Sequence, residues 1–199
     1  LPKLFGSKYV QSNMQGIYGL VKRDLIKGRK VLFSGTPCQI AAIKEYIGSA
    51  HENILLVDLV CHGVPSPEVW RGYIQSQRRE NLAVTEFEFR SKEESDDWEN
   101  FKFKKKYDDG ECKRDVWDIF LYGEAFLKNL SLRQSCYECQ FLALSSGADI
   151  TLGDCWRSRK TDLQLFNSWG MSVVSINSEK GHYAFESIKD KCNVEVTGM

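Results

Sequence analysis

In the first half of the chain, two hydrophobic patterns alternate: short apolar runs and segments with apolar residues spaced as on one face of a helix. Short runs of mostly apolar residues are typical of buried strands, whereas apolar residues at every third or fourth position predict amphipathic helices. Their order, with short loops between them, predicts a parallel sheet with crossover helices. The predicted elements are a helix through Ile17–Leu25, a strand at Lys30–Ser34, a helix at Cys38–Ile47, a strand at Ile54–Val60 and a helix opened by Ser66 and Pro67.

The middle of the chain changes to a period of two. Thr85, Phe87 and Phe89 alternate with charged residues, and a second alternating run ends at the hairpin signal Asp108–Gly110. This pattern indicates an antiparallel insertion at about 84–116, with one face packed and the other solvated. The fold class that we predict is therefore α/β, a mostly parallel sheet with crossover helices and an antiparallel hairpin insertion.

The last third of the chain returns to helices and buried runs, and its polar stretch carries a pair of cysteines. We expect 1–199 to form a single domain. Because the chain opens without Met, we also expect it to be a fragment that lacks N-terminal segments. The predicted elements are a helix at Trp117–Leu130, a loop at Ser131–Gln140, strands at Ala148–Leu152 and Ser172–Ile176, and a helix at Gly181–Lys191.

The amino-acid composition excludes several classes of protein. The 199 residues are 42% hydrophobic, with 27 basic and 27 acidic side chains, which excludes an intrinsically disordered chain and argues against a general nucleic-acid binder. No run approaches the roughly 18 apolar residues of a membrane span, and no secretory signal is present, so we expect a cytoplasmic protein. Seven cysteines are too sparse for a secreted disulfide scaffold of this length.

The cysteines occupy positions suited to metal binding. Cys38 and Cys61 each follow a predicted strand, so both are expected at the carboxyl edge of the sheet, where open α/β folds bind ligands. Cys136 and Cys139 form a CxxC pair, and Cys155 follows a further strand. Cys38, Cys61, Cys136 and Cys139 are our predicted site, and four thiolates fit either structural zinc or an iron–sulfur cluster. The alternative, in which Cys38 and Cys61 are small buried hydrophobic residues, is equally compatible with the spacing.

Two other local patterns suggest different chemistry. Cys38 at a predicted helix start, with His62 in a neighbouring loop, resembles a thiol–imidazole nucleophile pair. The turn Gly35–Pro37 lies between a strand and a helix, where backbone amides can hold an anion, although a capped tight turn explains it equally well. Neither pattern accounts for the CxxC pair.

Several blocks in series carry a family resemblance. Taken together they resemble the C-terminal domain of the coenzyme F420 hydrogenase/dehydrogenase beta subunit family, and the likeness covers almost the whole chain. One departure follows Gly153–Asp154, where this chain has Cys155 and Arg157 around Trp156 instead of the family's aromatic residue, Trp and Gly. The blocks are Ser7–Ser12, Val31–Ala41, Val57–Ser66, Phe89–Lys92 with Trp98, Cys136–Cys139 and Ala148–Asp154.

The resemblance implies an iron–sulfur flavoprotein oxidoreductase. Electrons would pass between a 4Fe-4S cluster, FAD and a soluble hydride carrier such as the deazaflavin F420, with a redox partner protein or subunit, for example a ferredoxin-like module. It implies cluster ligation by the four predicted cysteines, which favours iron–sulfur over zinc. A non-catalytic iron–sulfur electron-transfer subunit and a structural zinc module remain the alternatives. The residues expected at the flavin or an anionic substrate are Lys8, Ser12, Gly35, Thr36, Pro37, His62, Arg90 and Lys92.

Overall fold

The computed structural model describes most of the chain, and its packing divides the chain into two compact units. Unit 1 comprises Leu1–Ser12 and Gly63–Glu138, and unit 2 comprises Asn13–His62 and Cys139–Met199. The single domain expected over 1–199 stays a prediction. The described residues are 7–48, 52–79, 81–91, 102–116, 120–142, 144–155 and 170–196.

The elements confirm the predicted mixture of helices and strands. None of the described helices has the length and apolar character needed to cross a membrane. In chain order they are α1 (Ile17–Ile26), β1 (Val31–Gly35), α2 (Pro37–Ile47), β2 (Ile54–Leu59), α3 (Pro67–Ser76), β3 (Val84–Ser91), β4 (Lys102–Tyr107), β5 (Cys112–Val116), α4 (Leu121–Leu127), α5 (Gln134–Tyr137), β6 (Ile150–Asp154), β7 (Ser172–Ile176) and α6 (Glu179–Lys189).

Unit 2 contains the mostly parallel sheet that the sequence predicts. Its strand order is β1-β2-β6-β7, with β1, β2 and β6 parallel and β7 antiparallel at the edge. In the ladder, Gly35 lies beside Asp58, and Leu59 lies beside Leu152. The carboxyl ends of the three parallel strands therefore meet at one edge of the sheet.

The core of unit 2 is largely aliphatic. Ile40 and Ile43 on α2 are fully buried, and they belong to one cluster with Phe33 of β1 and with Ile54 and Leu56 of β2. Alternate strand residues thus face the helices that follow or precede them, as hydrophobic periodicity requires. This packing fixes α2, and with it the loop between β1 and α2, against the sheet.

A buried carboxylate ties the sheet of unit 2 to its last helix. Asp149 is 7% exposed, and its carboxylate accepts hydrogen bonds from the Leu56 amide (2.8 Å) and the Ser178 hydroxyl (2.6 Å). Ser178 in turn accepts a hydrogen bond from the Gly181 amide and caps α6. This cap explains why α6 begins at Glu179 rather than at the predicted Gly181.

Unit 1 contains the antiparallel insertion. Its sheet has the order β3-β4-β5, and the predicted turn at Asp108–Gly110 joins β4 to β5. The core is aromatic: Phe89, Phe103, Phe120 and Tyr122 are buried together, with Tyr9, Trp70, Tyr73 and Phe87 packed against them. Ring centroids in this group lie about 5–6 Å apart, for example 4.9 Å between Phe103 and Phe120.

Two sequence predictions in unit 1 were wrong in detail. The helix predicted from Trp117 begins at Leu121, because Phe120 is fully buried with non-helical backbone angles and enters the core before the helix starts; residues 117–119 lie outside the described part. The predicted loop Ser131–Gln140 contains the short helix α5, so Cys136 lies on a helical turn.

Candidate functional site

The carboxyl edge of the parallel sheet carries three cysteines. Cys38, Cys61 and Cys155 follow β1, β2 and β6, which are adjacent strands of unit 2. All three side chains are partly buried, and none of them forms a disulfide. This edge is where ligands bind in open α/β sheets. Sequence reasoning placed Cys38, Cys61 and Cys155 after predicted strands, and the strand order shows that these three strands are neighbours.

Cys38 lies at the second residue of α2, where unpaired backbone amides favour negative charge. Its Sγ atom is 3.2 Å from the hydroxyl oxygen of Thr36. The Tyr18 hydroxyl donates to the carbonyl of the next residue, Gln39, at 3.3 Å. The pKa of Tyr18 is raised, first by burial and then by the negative charge of Cys38. The Thr36 hydroxyl is therefore the group that contacts this thiol directly, and Tyr18 lies close enough to be affected by its charge.

The turn Gly35–Pro37 is explained by local structure. Pro37 is the first residue of α2, and the Thr36 amide donates to the side-chain oxygen of Gln39 at 2.9 Å. A Cβ atom on Gly35 would lie 2.8 Å from that same oxygen, so the glycine makes room for the Gln39 side chain. Gly35, Thr36 and Pro37 thus shape the loop that presents Cys38, and their contact with a cofactor stays a prediction.

The CxxC pair spans the boundary between the two units. Cys136 belongs to unit 1, where its amide donates to the Arg133 carbonyl (2.9 Å) and its Sγ atom lies 4.0 Å from the Val64 carbonyl oxygen. Cys139 is the first residue of the second segment of unit 2. The four predicted ligands are thiols outside any disulfide, which suit zinc or an iron–sulfur cluster by donor chemistry. Within the described ranges, however, no three His, Cys, Asp or Glu side chains are arranged to hold a metal ion.

The segment that carries Lys8 and Ser12 is anchored in unit 1 by the tyrosine between them. The Tyr9 ring lies 5.6 Å from the ring of Phe89, and its carbonyl accepts a hydrogen bond from the Tyr122 hydroxyl at 2.7 Å. Arg90 follows Phe89 in β3 and is half-buried. Lys8 and Arg90 therefore flank the two partners of one aromatic contact.

For two other residues predicted to bind the flavin, the structure gives only their location. His62 is exposed and follows Cys61 at the end of the first segment of unit 2. Lys92 lies outside the described residues. Their roles stay predictions.

Sequence reasoning missed a polar group in unit 1 just before the CxxC pair. The Arg133 guanidinium donates to the side-chain oxygen of Gln11 at 2.5 Å. Ser131 is 6% exposed, and its hydroxyl and the Nε atom of Arg133 are buried without a hydrogen-bond partner among the described residues. The group escaped notice because Ser131 and Arg133 match no motif and Gln11 is remote in sequence.

Comparison with known proteins identifies the family. Residues 28–199 match the family described as the C terminus of the coenzyme F420 hydrogenase/dehydrogenase beta subunit. The chain belongs to this family. Membership confirms the resemblance drawn from the sequence blocks, and the matched range includes every block except Ser7–Ser12. No curated protein matched the chain.

A solved structure supports the fold of this family member. The present chain is similar to a chain of the F420-reducing NiFe hydrogenase complex from Methanosarcina barkeri, whose structure was determined with xenon derivatization. The TM-score is 0.52 and the sequence identity is 17%. The alignment covers 94% of the present chain and 57% of the other chain. At this identity the likeness concerns the fold alone, and the present chain spans little more than half the length of that relative.

Proposed function

We propose that this chain is the redox domain of an iron–sulfur flavoprotein oxidoreductase, in which a 4Fe-4S cluster and FAD carry electrons to or from a soluble hydride carrier such as F420. The observation that carries the proposal is the placement of Cys38 and Cys61 at the ends of adjacent parallel strands, in a member of the F420 hydrogenase/dehydrogenase beta subunit family. Cofactors in open α/β folds bind at this edge.

The proposed cluster ligands are Cys38, Cys61, Cys136 and Cys139. A cluster of this kind supplies one-electron transfer, and the protein sets its potential through burial and hydrogen bonds to sulfur. Thr36 is placed to make such a hydrogen bond, because its hydroxyl is 3.2 Å from the Cys38 sulfur. The α2 N-terminus adds favourable electrostatics for a thiolate at Cys38.

The proposed flavin contacts include two basic residues of unit 1. In unit 1, the proposed contacts Lys8 and Arg90 are the sequence neighbours of Tyr9 and Phe89, whose rings pack together. The remaining contacts are assigned from the family resemblance and from loop position. They are Ser12, Gly35, Thr36, Pro37, His62 and Lys92.

The proposed partners are a redox protein or subunit and a diffusible hydride carrier. The structural neighbour comes from a multi-subunit hydrogenase complex, which supports a subunit partner. A cytoplasmic location is part of the same proposal, since the oxygen-sensitive chemistry of iron–sulfur clusters and reduced thiols suits a reducing compartment.

Anaerobic purification followed by metal, sulfide and flavin analysis tests this function. We expect a brown protein with about four iron and four sulfide per chain, as a four-cysteine cubane requires. Cys139→Ser should abolish the cluster, whereas Cys112→Ser, at an exposed thiol in β5, should leave the iron content unchanged.

Other results would redirect the assignment. Colourless protein with one zinc per chain would replace the redox function by a structural zinc site. A cluster without flavin would favour the non-catalytic electron-transfer subunit. Iron content that Cys139→Ser leaves unchanged would remove Cys139 from the ligand set.

A further inference from the structure

An extended segment of unit 1 presents two polar side chains on one face. Ser131 and Arg133 flank Leu132, and their backbones pair with the segment Val64–Ser66: the Ser66 amide donates to the Ser131 carbonyl and the Arg133 amide donates to the Val64 carbonyl, each at 3.0 Å. Because side chains alternate along an extended backbone, Ser131 and Arg133 lie on the same face and Leu132 on the other.

The opposite face of this segment is closed by hydrophobic packing. Leu132 packs against Gly63, whose φ is 140°, a conformation that favours glycine. A Cβ atom at Gly63 would lie 2.8 Å from the Leu132 side chain. The backbone pairing and this contact hold the segment in place, so the positions of Ser131 and Arg133 do not depend on their own side-chain bonds.

Each of the two side chains carries a buried hydrogen-bond donor that has no acceptor among the described residues. Ser131 is more than nine-tenths buried, and neither its hydroxyl nor the Nε atom of Arg133 has a hydrogen-bond partner among the described residues. Buried polar groups are nearly always hydrogen-bonded, because an unmade bond destabilises the fold. Two such donors on one face, one of them on a cation, suit an acceptor with negative charge.

The guanidinium is held by a group that an anion can displace. Nη1 of Arg133 donates to the neutral amide oxygen of Gln11 at 2.5 Å, and Gln11 is exposed. A charged oxygen makes a hydrogen bond to guanidinium about twice as strong as a neutral one. An oxyanion would therefore compete with the Gln11 oxygen for this guanidinium.

We propose that Ser131 and Arg133 form an anion site in unit 1 that binds a phosphoryl group. The planar guanidinium fork of donors matches phosphate oxygens, and the hydroxyl supplies a further donor. A phosphoryl group fits better than a carboxylate because its tetrahedral oxygens can accept from the planar guanidinium and from the separate hydroxyl at the same time. The identity of the ligand as the phosphate of the bound flavin nucleotide rests on the proposed function, whereas the site itself rests on the geometry.

Flavins with different numbers of phosphates test the site. Riboflavin, FMN and FAD would be titrated by fluorescence into the full chain and its variants. We expect Arg133→Gln to weaken FMN and FAD binding about thirtyfold, the effect of losing charge-assisted hydrogen bonds, and to leave riboflavin binding unchanged. Arg71→Gln is the matched control, because Arg71 is exposed on α3 and pairs with Glu68 at the surface.

The outcomes separate this site from the proposed function. If FMN binds the wild type and Arg133→Gln equally well, the anion site is wrong while the flavoprotein assignment stands. If the wild type binds no flavin, the flavin assignment fails, and inorganic phosphate then tests the site alone. Phosphate should raise the thermal midpoint of the wild type and not that of Arg133→Gln; an equal rise in both, or none in either, would overturn the site.

Ser131→Ala distinguishes ligand binding from a structural role. The substitution removes a hydroxyl that has no partner among the described residues, so the midpoint of the ligand-free protein should not fall. Phosphate or FMN affinity should drop about tenfold, as expected for one hydrogen bond from a neutral hydroxyl to a charged acceptor. A lowered midpoint with unchanged affinity would contradict the proposal and assign the hydroxyl to folding.

Discussion

The two units of the chain are built on different principles. Unit 2 packs aliphatic residues between helices and a mostly parallel sheet, and two of its three candidate ligands follow strands: Cys38 after β1 and Cys61 after β2. Unit 1 packs aromatic rings against an antiparallel sheet, and its polar contacts join distant parts of the sequence, such as Tyr122 with Tyr9 and Arg133 with Gln11.

This difference separates what local sequence determines from what tertiary packing determines. In unit 2 a strand end fixes where the next side chain lies, so position along the chain is sufficient to locate a candidate ligand. In unit 1 the N-terminal segment reaches its place through the Tyr9 ring and carbonyl. The aromatic core of unit 1 therefore holds the N-terminal segment that brings Gln11 to Arg133, a partner that position along the chain does not indicate.

The largest expected effect is in the aromatic core. Phe120→Ala should lower the free energy of unfolding by about 4 kcal/mol, because Phe120 is fully buried among other rings. Ile43→Ala in unit 2 should lower it by about 3 kcal/mol. Urea unfolding followed by tryptophan fluorescence and by circular dichroism would measure both, since the described Trp70 lies in the aromatic cluster.

The control for the aromatic core is Leu121→Ala, which truncates an exposed neighbour. Its effect should stay below about 0.5 kcal/mol beyond helix propensity. If Phe120→Ala were no more destabilising than Leu121→Ala, the ring cluster would not be the main source of stability in unit 1.

The next effect concerns the buried carboxylate of unit 2. Asp149→Ala should destabilise the protein by about 3 kcal/mol, because the Leu56 amide and the Ser178 hydroxyl both lose their acceptor. Asp149→Asn, which keeps one side-chain oxygen, should cost roughly half as much. Thermal unfolding gives both values, and equal losses would indicate that charge rather than hydrogen bonding is what Asp149 contributes.

The sequence predicted unit 2 more completely than the candidate site as a whole. Strand and helix positions followed from periodicity, and Thr36, Pro37 and Gly48 marked the ends of α2. Family blocks extended the ligand prediction to the CxxC pair. The helix from Trp117 was predicted too long because burial of Phe120 among rings from other elements overrides helix propensity there.

Long-range side-chain pairs lie beyond such reasoning. Nothing near Asp149 in the sequence indicates that its carboxylate binds the Leu56 amide and caps α6 through Ser178. Likewise, nothing near Ser131 or Arg133 indicates that their donors are buried. Both features depend on which segments pack together, and a hydrophobic pattern specifies faces rather than partners.

A smaller effect is expected at Tyr122, whose hydroxyl holds the carbonyl of Tyr9 in the N-terminal segment. Tyr122→Phe should destabilise the protein by about 1.5 kcal/mol at pH 7, because the Tyr9 carbonyl loses its donor. Burial also raises the pKa of Tyr122 above that of an exposed tyrosine, and it raises the pKa of Tyr73 to about 12, with the charges of Asp115 and Tyr107 adding to the shift.

The pH dependence of this anchor follows from the direction of those shifts. Raised pKa values stabilise the neutral folded state, so their contribution is complete below about pH 10, the pKa of an unfolded tyrosine, and is lost as the pH rises towards the folded values. Tyr122→Phe should therefore lose less stability than the wild type as the pH rises above about 10. Tyr183→Phe, at an exposed ring in unit 2, is the control and should follow the wild type.

The smallest effect in stability, and the most informative for unit 2, is at Thr36. Thr36→Val removes the hydroxyl beside the Cys38 sulfur and should cost about 1 kcal/mol as a weakened helix cap. In protein that carries the proposed cluster, it should also shift the midpoint potential to more negative values, because a hydrogen bond to a ligand sulfur stabilises the more negative, reduced cluster. Thr36→Ser keeps the hydroxyl and should restore the wild-type potential. If Thr36→Val leaves the midpoint potential of the cluster-containing protein unchanged, the 3.2 Å contact stabilises only the helix. The polar contacts of unit 2 would then contribute to its packing and not to the potential of a cofactor.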